Sequence, residues 1–201
     1  MNIPSNAKQI WLWLRSHSDM TEHGIAGLMG NLYAESGLVV NRKQGDFTAG
    51  YTRSSSYTLD VDTGVIPKSV FTKDSIGYGL AQWTYYTRKD GLYDYAKQRN
   101  TSIGFLDTQL GFLMGEMKLD YKKVYSALCT ADNVRGASDF VLKFYEQPAD
   151  QSVNVQIQRA GFGQAFYDAF HGLDVEKQRT DEAFTLIAEI RERLTKLEKL
   201  I

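Results

Sequence analysis

The stretch Gly30-Asn31-Leu32-Tyr33-Ala34-Glu35-Ser36-Gly37 decides how this 201-residue sequence is interpreted, because it closes a predicted helix on a carboxylate. Thr21 has the residue type of an N-cap, and Met20 and Ile25 occupy the two positions of a hydrophobic staple around it. Gly37 supplies the stop signal at the other end. The apolar stripe between the two ends consists of Ile25, Leu28, Met29 and Leu32.

Glu35 extends this stripe, since it follows Leu28 by seven positions and Leu32 by three. A carboxylate at that position faces the interior or a cleft. Desolvation there raises the pKa of a carboxyl group, as a general acid near neutral pH requires. The alternative is a glutamate at a helix end that extends into solvent, and the pattern alone leaves both interpretations open.

The second informative stretch is Gly77-Tyr78-Gly79-Leu80-Ala81-Gln82-Trp83-Thr84. Two glycines around a tyrosine allow the backbone to approach a ligand closely. Gln82 and Trp83 then offer a two-sided hydrogen-bonding group and a flat aromatic face, a pairing that suits sugars. A tight turn that enters a buried element is the alternative interpretation.

Hydrophobic periodicity predicts an α+β fold that is mostly helical, with a small β-rich lobe over residues 38–76. In that lobe Tyr57, Leu59 and Val61 alternate with polar neighbours, a pattern typical of a strand. Helical patterns resume after Gly79, and a helix over Ala137–Gln147 is expected to end at Pro148.

The composition changes after residue 172, which divides the chain into a domain at 1–172 and a C-terminal helix at 173–201. The helix resembles a coiled coil, and we expect it to mediate self-association or attachment to a larger assembly. An amphipathic helix that docks on its own domain is the alternative. The heptad positions are occupied by Ala183, Ile187, Ile190, Leu194, Leu197 and Ile201.

The net charge of −1 argues against nucleic acid as a partner. The only cysteine is Cys129, so we expect synthesis in a reducing cytoplasm. No segment has the length of a membrane span, so we expect no membrane insertion. No segment has the pattern of a signal peptide either, so we expect delivery to the cell wall by another route. The three histidines, His17, His23 and His171, lack metal-ligand spacing. We therefore expect no metal and no cofactor.

Together, the two stretches resemble the phage tail lysozyme and endolysin family of the lysozyme-like superfamily. Goose-type lysozymes and soluble lytic transglycosylases share the Glu-Ser and Gly-Leu-x-Gln parts. The resemblance covers residues 8–171, and it includes Arg88, Gln109-Leu110, Phe112-Leu113, Glu116, Phe144-Tyr145-Glu146, Pro148 and Arg159-Ala160.

The resemblance implies a glycosidase that cleaves the bond between N-acetylmuramic acid and N-acetylglucosamine in peptidoglycan, with Glu35 protonating the departing oxygen. Such an enzyme often needs a second carboxylate. We favour Asp74, because goose-type enzymes carry an aspartate at about this point. The other candidates are Asp46, Asp60 and Asp62. If none acts, the acetamido group of the substrate would assist, as in lytic transglycosylases.

Four residues are expected to contact the substrate: Tyr78, Gln82, Trp83 and Tyr145. Glu146 could line the cleft as well, but we favour a surface position at a helix end.

Arg88 is a substrate contact or a structural ion-pair partner, and Tyr51 and Tyr57 either stack on sugars or pack in the core. The tail favours a phage particle, although a released endolysin also fits. A non-catalytic module for wall binding or tail assembly is the alternative of a different class.

Overall fold

A computed structural model describes residues 1–45 and 52–173, excluding the side chains of residues 52–55, and beyond them residues 180, 187, 189–191, 193, 194 and 196. The regular secondary structure of the described residues consists of helices joined by loops. Its α-helices are α1 Ala7–His17, α2 Glu22–Ser36, α3 Thr52–Thr63, α4 Lys68–Phe71, α5 Tyr86–Gln98, α6 Leu106–Leu119, α7 Lys122–Cys129, α8 Val134–Val141 and α9 Val153–Phe170. A π-helical turn, Leu142–Glu146, follows α8 directly.

Helix α2 lies at the centre of the domain, and its ends are those that the sequence predicts. The Thr21 side chain accepts a hydrogen bond from Gly24 N at 3.0 Å. At the other end Gly37 adopts a left-handed φ of 65° and donates its N–H to Tyr33 O at 2.8 Å. These caps satisfy backbone groups that a helix end leaves free, so Glu35 is fixed in the last turn.

Close contacts between backbones join α2 to α8 and α9. A Cβ atom at Gly30 would lie 2.4 Å from Arg159 O, and one at Gly27 would lie 2.6 Å from the Ala137 Cβ. Gly163 of α9 is similarly close to Ala26 O, at 2.7 Å. Only glycine allows this spacing, and it brings α9 next to the helix that carries Glu35.

The prediction of a β-rich lobe is wrong. Residues 1–45 and 52–173 contain isolated bridges, Lys43 with Tyr78 and Tyr78 with Trp83, but no sheet. Tyr57, Leu59 and Val61 belong to α3. Tyr57 and Val61 are buried one helical turn apart, whereas Leu59 is 61% exposed. Tyr57 and Val61 are four residues apart, which is about one turn of a helix and also two periods of a strand, so the apolar pattern fits both structures.

The tail at 173–201 lies largely outside the described residues. Those that are described from residue 180 onward are helical, and Ile187, Ile190 and Leu194 are exposed. The coiled coil, the self-association and the domain boundary at 172 therefore stay predictions. Within the described residues, no helix combines the length and the apolar character that a membrane crossing requires.

Candidate active site

A cavity of about 370 Å³ opens beside the C-terminal end of α2. Its lining comes from parts of the chain that are distant in sequence. They are Glu35, the loop residues 42–45, the turn residues Ala81, Gln82, Thr84 and Tyr85, Arg88 of α5, and Glu146. Glu35 and Gln82 therefore line the same cavity.

Glu35 is held in this cavity by an ion pair with α9. The guanidinium Nη2 of Arg159 lies 2.6 Å from Glu35 Oε1, and the glutamate side chain is 21% exposed. Arg159 is buried and donates through Nη1 to Asn31 Oδ1 at 3.3 Å. Asn31 itself donates to the backbone oxygens of Gly27 and Ser138. The carboxylate is therefore positioned by a buried network while it stays accessible to a ligand.

The Gly-Tyr-Gly turn places Gln82 through strained backbone. Gly79 adopts a φ of 77°, which glycine allows without strain, and Gln82 adopts a φ of 45°, which is strained for a residue with a Cβ. The Gln82 amide donates to Gly79 O at 2.9 Å and to Arg42 O at 3.2 Å. Beneath the turn, buried Gln109 accepts from Leu80 N at 2.8 Å. Strain of this kind persists only where surrounding contacts hold it, and it is common at ligand sites.

Trp83 and Tyr145 are buried on the carboxylate of Glu116. Trp83 Nε1 donates to Glu116 Oε2 at 3.2 Å, and the Tyr145 hydroxyl donates to the same oxygen at 2.6 Å. Arg88 donates to both carboxylate oxygens, at 2.5 and 2.8 Å. Arg88 is thus an ion-pair partner and also lines the cavity. Trp83 is fully buried, so its ring packs in the core.

A second cavity, of about 400 Å³, continues from the first. It shares Tyr85, Arg88 and Glu146 with the first cavity, and Tyr145 contributes to its lining. Tyr85 is 64% exposed and its ring centroid lies 5.1 Å from that of Tyr86, so an exposed aromatic surface is present where the two cavities meet. The sequence analysis did not identify Tyr85. The shared residues place the two cavities next to each other.

Asp74 and Tyr78 lie away from the described lining of the first cavity. Both oxygens of Asp74 accept hydrogen bonds, Oδ1 from buried Lys89 at 2.5 Å and Oδ2 from the Tyr57 hydroxyl. Tyr78 is buried and its hydroxyl lies 2.6 Å from the Thr58 hydroxyl. The ring of Tyr57 is therefore part of the core. These contacts favour a structural role for Asp74.

The remaining aspartate candidates are distributed as follows. Asp62 accepts from the Ser102 hydroxyl and from Ile103 N, so it stabilises the loop before α6. Asp60 lies in α3. Asp46 and Tyr51 lie outside the described residues. Among the residues that the structure describes, no three acidic, histidine or cysteine side chains are grouped so that they could hold a metal ion.

Glu146 is the site residue that the sequence analysis misplaced. It ends the π-helical turn, where Gln147 N bonds to Leu142 O five residues earlier. Glu146 follows buried Val141 by five positions. In an α-helix that spacing would direct Glu146 away from the core, whereas in a π-helical turn it keeps Glu146 near the same face as Val141. Glu146 therefore points into the cavity. The signal that could have found it is the Phe144-Tyr145-Glu146 segment of the family resemblance.

The electrostatics of Glu146 are unusual for a carboxylate. Its Oε1 is buried and has no hydrogen-bond partner in the described part of the chain. Burial, together with the nearby charge of Glu35, raises the pKa of Glu146 to about 8. The cavity thus contains one carboxylate in an ion pair and a second carboxyl group that retains its proton at neutral pH. Pairs with such divided environments are typical of acid–base catalysis.

The described residues thus form a helical domain with two carboxyl groups in a polar cleft. The family model for phage tail lysozymes matches residues 5–170, and the chain belongs to the phage tail lysozyme family. No curated protein matches the chain. Family membership implies a lytic enzyme that acts on the peptidoglycan of the bacterial cell wall.

Proposed function

We propose that this protein is a muramidase, which cuts peptidoglycan between N-acetylmuramic acid and N-acetylglucosamine, and that Glu35 is the general acid. The observation that carries the proposal is the position of Glu35 in the cavity. It is accessible, fixed at the end of α2, and held by buried Arg159. A general acid must be within hydrogen-bond reach of the leaving oxygen, and a fixed carboxyl group at a cavity wall meets that condition.

The shape of the cleft supports a glycan strand as the substrate. In this proposal the glycan strand occupies the two adjacent cavities, of about 370 and 400 Å³, which share Tyr85 and Arg88. Gln82 Nε2 is engaged by Gly79 O and Arg42 O, so in this proposal Gln82 Oε1 accepts a hydrogen bond from an acetamido N–H. Tyr85 offers an exposed ring for the C–H face of a sugar. In this proposal the role of Tyr78, Trp83 and Tyr145 is mainly structural, since they are buried and keep the Gly-Tyr-Gly turn and Arg88 in place.

A lytic transglycosylase is the second candidate, and one observation favours it. Asp74 is engaged by Lys89 and Tyr57 and does not belong to the described lining of the cavity with Glu35. If no aspartate acts there, the acetamido group of the substrate itself would assist departure of the leaving group. The product would then be an anhydro sugar instead of a hydrolysed end.

Mass spectrometry of the fragments released from purified peptidoglycan, with and without borohydride reduction, separates these candidates. The muramidase proposal predicts fragments with reducible N-acetylmuramic acid ends. Non-reducible anhydro ends would instead establish a transglycosylase. Binding to the wall without release of fragments would contradict both and would favour a non-catalytic module. The same assay with the chain truncated after residue 172 tests whether residues 173–201 are needed for catalysis. If these residues serve attachment, the truncated chain should still release fragments.

A further inference from the structure

We infer that Glu35 and Glu146 form one carboxyl pair that carries a single proton, and that Glu146 holds this proton in the free protein and supplies it to Glu35 for bond cleavage. The inference rests on the proposed function of the cavity. It assigns Glu146 a role in proton storage, so that Glu35 alone contacts the reacting oxygen. Glu146 is accordingly a positioning residue for the proton.

The fold places two carboxyl groups from distant parts of the sequence at the wall of one cavity. Glu35 lies in the last turn of α2, and Glu146 ends the π-helical turn after α8. Both line the same cavity of about 370 Å³. The buried Oε1 of Glu146 has no hydrogen-bond partner among the described residues, which is costly for a charged carboxylate and tolerable for a protonated one.

The two cations that lower the pKa of Glu146 each form an ion pair with another carboxylate. Arg159 of α9 forms the ion pair with Glu35, and Arg88 of α5 forms the bidentate pair with Glu116 of α6. Arg42 and Lys43 line the same cavity from the loop before α3. The negative charges of Glu35 and Glu116 raise the pKa of Glu146 after burial itself, and Arg88 and Arg159 lower it. Burial and the unpartnered Oε1 therefore favour the protonated form of Glu146.

The proton balance of the reaction closes within the pair. Glu146 transfers its proton to Glu35, and its new charge then faces Arg88 and Arg159. Glu35 donates the proton to the glycosidic oxygen as the bond from that oxygen to the anomeric carbon breaks. Water adds its hydroxyl group to the carbon, and its remaining proton returns to the pair. One water is consumed, and the pair ends with the proton count with which it began.

The pH profile of the Glu146→Gln variant tests this role directly. Glutamine keeps the shape of the side chain but cannot store the proton, so Glu35 must take it from solvent. We expect the alkaline limb of kcat/KM to move to lower pH by about one unit or more, with the ratio of variant to parent activity falling roughly tenfold between about pH 5 and pH 8. Glu146→Asp, which restores a carboxyl group, should recover part of the shift. Profiles of unchanged shape would overturn the inference, as would an equal loss at every pH in a folded variant.

A titration that does not depend on activity keeps the two proposals distinguishable. In protein with ¹³C-labelled glutamate carboxyl groups, the NMR signal that Glu146→Gln removes should titrate at about pH 8. The midpoint of this titration should move to lower pH in Glu35→Gln, because that variant lacks the neighbouring charge of Glu35. Titration in the ordinary range of a carboxyl group, or no response to Glu35→Gln, would refute the pair. If the pair titrates as expected but no fragments are released from peptidoglycan, the proposed function fails and the shared proton stands.

Discussion

Replacing Asp74 with asparagine separates a structural role from a catalytic one. The Asp74 carboxylate compensates Lys89, whose side chain is 0% exposed, while that of Asp74 is 12% exposed. The ammonium group also donates to Ile76 O at 2.9 Å and lies over the Phe71 ring at 4.3 Å. Asp74→Asn preserves the size of the side chain and leaves the buried ammonium without its counter-charge.

The magnitude of the loss follows from the burial of this pair. Removal of one partner of a buried ion pair costs about 3–5 kcal/mol of unfolding free energy. We expect a value of about 3 kcal/mol, because the ammonium keeps the Ile76 carbonyl and the Phe71 ring as neighbours. For a chain of this size that corresponds to a fall in Tm of roughly 6–12 °C.

The loss should depend on pH with a definite sign. Burial lowers the pKa of Lys89, and Asp74 opposes this shift, so Asp74→Asn lowers the pKa further. The unfolded chain still holds the Lys89 proton at pH values where the folded variant has released it. Unfolding free energy therefore rises with pH in that window, and the deficit of the variant should shrink from about pH 7 to about pH 9.5.

Urea denaturation at the two pH values measures both effects, and the double variant Asp74→Asn/Lys89→Met supplies the control. Since it removes both charges, it should recover stability relative to Asp74→Asn and should still release peptidoglycan fragments. A double variant that is stable but inactive would return Asp74 to the catalytic site. If Asp74→Asn unfolds within about 0.5 kcal/mol of the parent, the argument from a buried ion pair is refuted.

Three further variants test the packing and the cleft. Gly79→Ala should lower the unfolding free energy by more than about 2 kcal/mol, because its Cβ would lie 2.6 Å from a buried glutamine oxygen. The control Gly64→Ala has a similar φ but open space around it, and it should cost about 1 kcal/mol. Equal losses in urea denaturation would exclude the clash. Gly30→Ala should lower the unfolding free energy by about 3 kcal/mol. Its control, Gly161→Ala on an open helix surface, should raise the unfolding free energy by roughly 0.5–1 kcal/mol. A Gly30→Ala variant as stable as the parent would contradict the close contact of α2 and α9. Tyr85→Ala should weaken glycan binding by about threefold to tenfold at unchanged Tm, and unaltered binding in a calorimetric titration would remove Tyr85 from the cleft.

Local signals predicted the part of the fold that carries Glu35. The caps at Thr21 and Gly37 are local interactions between a side chain or backbone group and its neighbours in sequence, so a single sequence contains them. The stripe residues are buried as expected, but every residue from Gly24 to Leu32 is buried, so the stripe did not by itself reveal that α2 is enclosed on all sides. The same reasoning failed for Tyr57 and Val61, because their spacing of four fits a helix as well as a strand and only tertiary packing distinguishes the two.

The candidate site was predicted in part for a related reason. Glu35 and Gln82 could be found because each belongs to a local motif. Glu146 could not be placed from α-helical periodicity, since a π-helical turn changes the register at that point. The residue type of Trp83 indicated a sugar platform, but a buried carboxylate on α6 binds its indole N–H instead. Aromatic side chains with a polar group serve both purposes, and their sequence context alone does not distinguish them.

The most direct test of the account compares fragment release by the parent, Glu35→Gln and the exposed control Asp107→Asn from the same purified peptidoglycan. Binding to the insoluble wall is measured in parallel. The account predicts that Glu35→Gln loses release by about a hundredfold or more while it binds as the parent does, and that Asp107→Asn does both normally. Release by Glu35→Gln at the rate of the parent would contradict the assignment of Glu35 as the general acid.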